Sequence, residues 1–171
     1  MERRTLLQSA AAWLVARPLP AASGVTVVLR TSLGDIEIEV DEARAPATAA
    51  NFLRYVDGGY YDGGRFHRTV RLDNQPGKTV LIEVVQAGVN PTPARPGFGP
   101  IRLERTRDTG LRHRDGAVSM ARDEPDSATS DFFVCIGDQP ELDFGGKRNP
   151  DGQALTPPVP IVSAARVSPR P

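Results

Sequence analysis

Between Val25 and Arg30 the chain is apolar and β-branched, and Thr31-Ser32-Leu33-Gly34 is turn material. Asp35-Ile36-Glu37-Ile38-Glu39-Val40 then alternates strictly, with Ile36, Ile38 and Val40 on one face. Two such runs across a glycine-containing turn predict an antiparallel hairpin. The period changes at Ala45-Pro46, after which Ala49, Phe52, Leu53 and Val56 recur at helical spacing. Proline suits the first turn of that helix, where its missing N–H costs little, and Gly58-Gly59 ends it. From Tyr60 onward short apolar runs and glycine-containing turns predict strands, Phe133-Val134-Cys135-Ile136 reading as a buried one. No internal repeat interrupts this pattern, which is that of a single, mainly β domain.

The chain has 171 residues, about one domain's worth, and 39% hydrophobic residues, enough for one core. Sixteen glycines and 16 prolines fit many turns and short strands. Twenty-one basic against 21 acidic residues give no electrostatic reason to expect nucleic acid or an anionic membrane as partner. No apolar run reaches the roughly 18 residues of a membrane-spanning helix, so stable membrane insertion is not expected. Cys135 is the single cysteine, which excludes an internal disulfide and a thiolate-rich zinc site. His67 and His113 stand at no metal-ligand spacing, and no cofactor is implied. Asp73-Asn74-Gln75-Pro76 and Asp123-Glu124-Pro125-Asp126 read as solvated turns rather than calcium loops. A monomer is expected, because no hydrophobic surface stripe is evident.

Residues 1–22 read as an export signal. Arg3-Arg4 precede the apolar segment Leu6 to Ala16, Pro18 to Ala22 supply small residues and a helix breaker, and cleavage is placed after Ala22. Arg3-Arg4-Thr5-Leu6-Leu7 resembles the twin-arginine motif. This predicts a periplasmic or otherwise exported bacterial protein; the alternative is a cytoplasmic protein with an N-terminal extension.

Several blocks, in order, carry a family resemblance. They are Thr31-Ser32-Leu33-Gly34-Asp35-Ile36, Asn51-Phe52-Leu53, Gly59-Tyr60-Tyr61-Asp62-Gly63, Phe66-His67-Arg68 and Val84-Val85-Gln86-Ala87-Gly88, followed by His113 to Ala121, Asp131-Phe132-Phe133 and Leu142-Asp143. Residues 25–153 thereby resemble the cyclophilins, peptidyl-prolyl cis-trans isomerases. The resemblance implies an eight-stranded closed antiparallel β-barrel capped by two helices, with proline-containing polypeptides as substrates.

Rotation about an X–Pro bond breaks amide resonance, against a barrier of about 18–20 kcal/mol. It requires no nucleophile or metal, only a donor that binds the twisted amide better than the planar one. A guanidinium offers fixed donors at any relevant pH. By resemblance Arg68 is the catalytic arginine and Gln86 the polar group for substrate backbone. Phe66, Met120, Phe133 and Leu142 match pocket or pocket-supporting positions, and Ala121 and Arg122 match the segment that runs beside the substrate. Core packing is the competing reading for Phe66. A non-catalytic module that only binds proline segments is the alternative function.

Around the site the chain departs from the family at four positions. Glu83 stands where a pocket Phe is usual, Glu141 replaces an aromatic residue before Leu142, no His follows Leu142-Asp143, and Asp131 replaces a Gln. A longer loop from Arg71 to Thr79 could shift residue 83 out of register. Residues 154–171 depart most: five prolines in Ala154 to Pro171, with no acidic or aromatic residue, argue against a helix or a central strand. With only Lys78 and Lys147 among the 21 basic residues, the coding DNA reads as GC-rich, and the tail as the product of a frameshift near codon 153. The alternative is a divergent member with a disordered tail. On either reading the closing strands and helix would be missing and the barrel edges open.

Overall fold

In the computed structural model, which describes residues 24–92, 95–147 and 153–167, β1 (Val25–Thr31) and β2 (Gly34–Val40) form the expected hairpin. Val25 pairs with Val40 and Thr31 with Gly34, so Val27, Leu29, Ile38 and Val40 turn to the core. The expected signal segment, residues 1–22, lies outside the described residues. No helix among the described residues is long and apolar enough to cross a membrane.

Helix α1 (Pro46–Asp57) begins and ends where proline and glycine predict. It buries Ala49, Phe52, Leu53 and Val56, with Asn51 and Tyr55 beside them. No side chain of its own caps its start. Instead Glu104, from a distant loop, accepts the Ala47 and Thr48 amides at 3.0 and 2.8 Å. Acidic charge is favourable at that end of a helix.

β3 (Arg65–Val70), β4 (Val84–Gly88), β5 (Val118–Met120), β6 (Phe132–Cys135) and β7 (Gln153–Val167) complete one antiparallel sheet. A short helix, α2 (Thr106–Thr109), precedes β5, and a 3-10 turn, Pro140–Leu142, follows β6. The strand order is β2-β1-β7-β3-β4-β6-β5, a nearly closed barrel with β2 and β5 as its edges. Among the described residues it has seven strands, not the eight implied by the resemblance.

The expectation for the proline-rich tail needs correcting. Gln153–Val167 form β7, a central strand paired with both β1 and β3. Bulges explain how the prolines are accommodated. Against β3 the register jumps from Phe66↔Val159 to Arg68↔Ala154, leaving 155–158, with Pro157 and Pro158, out of register. A proline there removes no ladder hydrogen bond. Against β1 a second irregularity skips Val162, which is 62% exposed, and lets both Ile161 and Ala164 face inward. Ile161 N–H donates to Gly64 O at 2.8 Å and Gly63 N–H to Ile161 O at 2.9 Å, so β7 is fully engaged beside Pro160. The closing strand is present, and the structural reason for reading the tail as foreign sequence falls away.

Inside the barrel, Phe52, Tyr55, Tyr61, Phe66 and Phe132 pack with the β1 and β2 aliphatics as the main core. Phe132 meets Tyr61 and Phe52 edge-on, with ring centroids 5.5 and 5.6 Å apart. A smaller cluster of Val70, Ile82, Val84 and Cys135 lies on the other face of the same strands.

Candidate active site

One extra residue in β3 builds the site. Phe66 pairs with Ala87, but Arg68 rather than His67 pairs with Gln86. This bulge shifts the pleat by one residue, so Phe66 packs in the main core while Arg68 faces a groove and Val70 joins the smaller cluster. In β4 the alternation is regular: Ala87 turns inward, Val84 and Gln86 toward the groove. β6 follows the same rule, with Phe132 inward and Phe133 outward.

The groove encloses about 870 Å³. Arg68, Gln86, Phe133 and Leu142 line it, and so do Met120, Ala121 and Arg122. Phe66, expected among the pocket residues, does not: it is 5% exposed and packs edge-on to Phe132. Core packing wins at this position because the bulge turns the next residues, not Phe66, outward.

Arg68 Nη1 donates to Gln86 Oε1 at 3.0 Å, and Gln86 Nε2 donates to Asp131 Oδ2 at 3.1 Å. His67 Nε2 stands 3.5 Å from the same carboxylate oxygen. Beside these polar groups lies an apolar floor of Ile82, Val84, Phe133 and Leu142. Glu83, standing where a pocket Phe is usual, is not part of it; Ile82, one residue earlier and 1% exposed, lines the groove instead.

Two buried glutamines hold this wall. Gln75 is buried, accepts Ile82 N–H at 3.3 Å and donates through Nε2 to Ile82 O and Arg71 O at 2.9 and 2.6 Å. Gln139, also buried, accepts Glu83 N–H at 3.1 Å and donates to Ile136 O at 2.5 Å. The run Asp73 to Pro76, expected to be solvated, thus hides a latch that fixes the pocket wall.

An imidazole is present at the groove although none follows Leu142-Asp143. His113 lies flat against Phe133, centroids 5.9 Å apart, and its Nδ1 is 3.0 Å from Asp143 Oδ1. Burial works to raise the Asp143 carboxyl, but the hydrogen bonds from His113 and the charges of His113 and Arg112 outweigh it, holding the group below its ordinary value. Cys135 is fully buried, and its thiol is pushed up to about 12 by burial first and then by Asp143 and Asp115. Such a thiol is inert, as expected of a structural cysteine.

Comparison with known proteins bears directly on this geometry. Residues 26–148 match the family model described as cyclophilin type peptidyl-prolyl cis-trans isomerase/CLD. The chain belongs to that family. It is 38% identical over 126 residues to peptidyl-prolyl cis-trans isomerase A of Dickeya dadantii, covering 73% of this chain and 61% of that one. It is also 38% identical over 128 residues to the peptidyl-prolyl cis-trans isomerase cyp18 of Streptomyces antibioticus, covering 74% and 70%. The chain therefore spans less than two thirds of the Dickeya relative. A Cryptosporidium parvum cyclophilin-type isomerase, crystallised in the presence of the dipeptide Ala-Pro, superposes with a TM-score of 0.63 at 20% identity, over 84% of this chain and 99% of that one. Cyclophilin AquaCyp293 of Hirschia baltica gives 0.62 at 20% identity, over 85% and 75%. At such identities the likeness speaks for the fold. In this cyclophilin the bulge, the Gln75 latch and the contacts of Asp131 with Gln86 and His67 are not evident from the sequence, where only the loop from Arg71 to Thr79 and the Asp itself stand out.

Proposed function

We propose that this cyclophilin isomerises X–Pro bonds in proteins exported from the cell, with Arg68 stabilising the twisted amide. The observation that carries the reading is the Arg68–Gln86 pair at 3.0 Å beside an apolar floor. As the X–Pro bond rotates, the proline nitrogen regains its lone pair, and a guanidinium held over it gains more in the twisted state than in the planar one. Gln86 accepts from Arg68 Nη1 and so keeps the guanidinium fork oriented in the groove. Phe133 and Leu142 offer the ring an apolar seat; Met120, Ala121 and Arg122 flank the chain that carries it. The substrates are proline-containing polypeptides, and the working form is a monomer.

A protease-coupled assay on a proline tetrapeptide tests the reading. Wild-type protein is expected to accelerate isomerisation, and Arg68→Ala to remove most of the acceleration while peptide binding persists. Folded wild-type protein working at the uncatalysed rate would make the groove a binding site for proline segments instead. Export rests on Arg3-Arg4 and the apolar segment behind them. Replacing both arginines with lysine is expected to strand a reporter fusion in the cytoplasm; continued export of that variant would point to the general secretion route, and a wild-type fusion that stays inside would refute export.

A further inference from the structure

Asp131, where the family commonly carries Gln, touches three parts of the site. Its Oδ2 accepts from Gln86 Nε2 at 3.1 Å and faces His67 Nε2 at 3.5 Å, and its backbone oxygen accepts the Ala121 amide at 2.8 Å. Gly88 leaves space for the carboxylate: a Cβ there would collide with Asp131 Oδ1. The approach to Asp131 is anchored from below, since the Tyr61 hydroxyl donates to Ser130 O at 2.6 Å and Asn51 Nδ2 to Thr129 O at 2.5 Å.

The chemistry of the pair then dictates an orientation. An ionised carboxylate only accepts, so the amide nitrogen of Gln86 must face Asp131. Oε1 is thereby turned to Arg68, the orientation in which it accepts from Nη1 at 3.0 Å. A reversed amide would set its NH2 group against a guanidinium, donor against donor, and its oxygen against a carboxylate. An amide at position 131 could still accept from Gln86 Nε2, with its own oxygen turned there, whereas an apolar side chain could not.

We propose that Asp131 is a positioning residue for isomerisation: its carboxylate fixes the Gln86 amide, and through it the Arg68 guanidinium, with His67 facing the carboxylate as its counterpart. The bulge in β3 makes this arrangement accessible, because it lets the consecutive residues His67 and Arg68 both reach the Gln86–Asp131 pair. This inference rests on the isomerase reading of the groove.

The test measures kcat and KM on a proline tetrapeptide, with thermal midpoints, for wild type, Arg68→Ala, Asp131→Asn, Asp131→Leu and Asp131→Ala. Asp131→Asn retains an acceptor oxygen and is expected to keep kcat within about twofold. Asp131→Leu and Asp131→Ala lose the acceptor and are expected to lower kcat roughly fivefold, as befits one hydrogen bond, with KM changed less than about twofold. In a Gln86→Leu background, Asp131→Leu is expected to have no further effect, because the group it positions is gone. The proposal is overturned by wild-type kcat in both the Leu and Ala variants, by an equal loss in Asp131→Asn, or by an unchanged effect in the Gln86→Leu background. Wild-type protein without activity would overturn the isomerase reading and this inference with it; an active, Arg68-dependent wild type that is indifferent to residue 131 would overturn this inference alone.

Discussion

The main core beneath α1 and the smaller cluster behind the groove share strands but are built from different materials. The core is wide, and its aromatic rings brace one another: Phe52, Tyr55, Tyr61, Phe66 and Phe132 all belong to it, together with aliphatics from β1, β2 and β7. Among the described residues the smaller cluster has four buried members, Val70, Ile82, Val84 and Cys135, and its wall at residues 82 and 83 is held by two buried glutamines. A wide core spreads the loss of one contact over many neighbours. A thin cluster pinned by polar groups concentrates the loss at the groove, since each latch that goes leaves backbone groups unsatisfied. Stability is thus carried mainly by one region and pocket shape by the other.

The largest effect is expected in the main core. Leu29→Ala, at a fully buried β1 position away from the groove, should cost about 2–5 kcal/mol by denaturant titration. The folded fraction should keep kcat/KM within about twofold; a large catalytic loss would erase the division between the regions. Gln75→Leu should cost less, about 1–3 kcal/mol, for the unsatisfied groups at Ile82, but should raise KM more than it lowers kcat. Cys135 gives a second readout of the same change. Its buried thiol should resist alkylation at neutral pH in wild type and react faster in Gln75→Leu, and equal rates would mean that the latch does not guard the cluster.

Smaller still is the effect expected at the start of α1. Glu104→Ala removes the acceptor for two amides and should cost about 1 kcal/mol. Rescue by Glu104→Gln should be partial, since Gln keeps an acceptor but not the charge that favours a helix N-terminus. The least effect concerns Asp143, which fixes the His113 ring against Phe133. Its carboxyl is held below the ordinary value, so its contribution to stability is complete above about pH 4 and fades as acid protonates it. Asp143→Asn should therefore flatten the acid limb of the stability curve and leave the neutral region as the reference for its lost charge. An acid limb as steep as that of the wild type would remove Asp143 from the account.

Periodicity revealed the hairpin and α1 almost to the residue, because alternation and helical spacing are local properties of the chain. The motif Phe66-His67-Arg68 pointed to the site, yet not to the bulge that separates Phe66 from it; a bulge is a property of pairing, and no single strand displays it. The same is true of β7. Its prolines argue locally against a central strand, and only the register against β1 and β3 reveals where they do no harm. Gln75 reads as an ordinary polar residue and Asp131 only as a departure from the family's Gln, since their partners lie on segments that meet only in the folded barrel.

The central claim is that Arg68 acts on the twisted amide more than on the resting substrate. It is tested most directly by following cis–trans exchange of a proline peptide at equilibrium by NMR, with the dissociation constant measured in the same samples for wild type and Arg68→Ala. The account predicts catalysed exchange with wild type, and with Arg68→Ala a loss of exchange more than about tenfold while the dissociation constant changes less than about threefold. Equal losses of exchange and affinity, or exchange undiminished without the guanidinium, would contradict it.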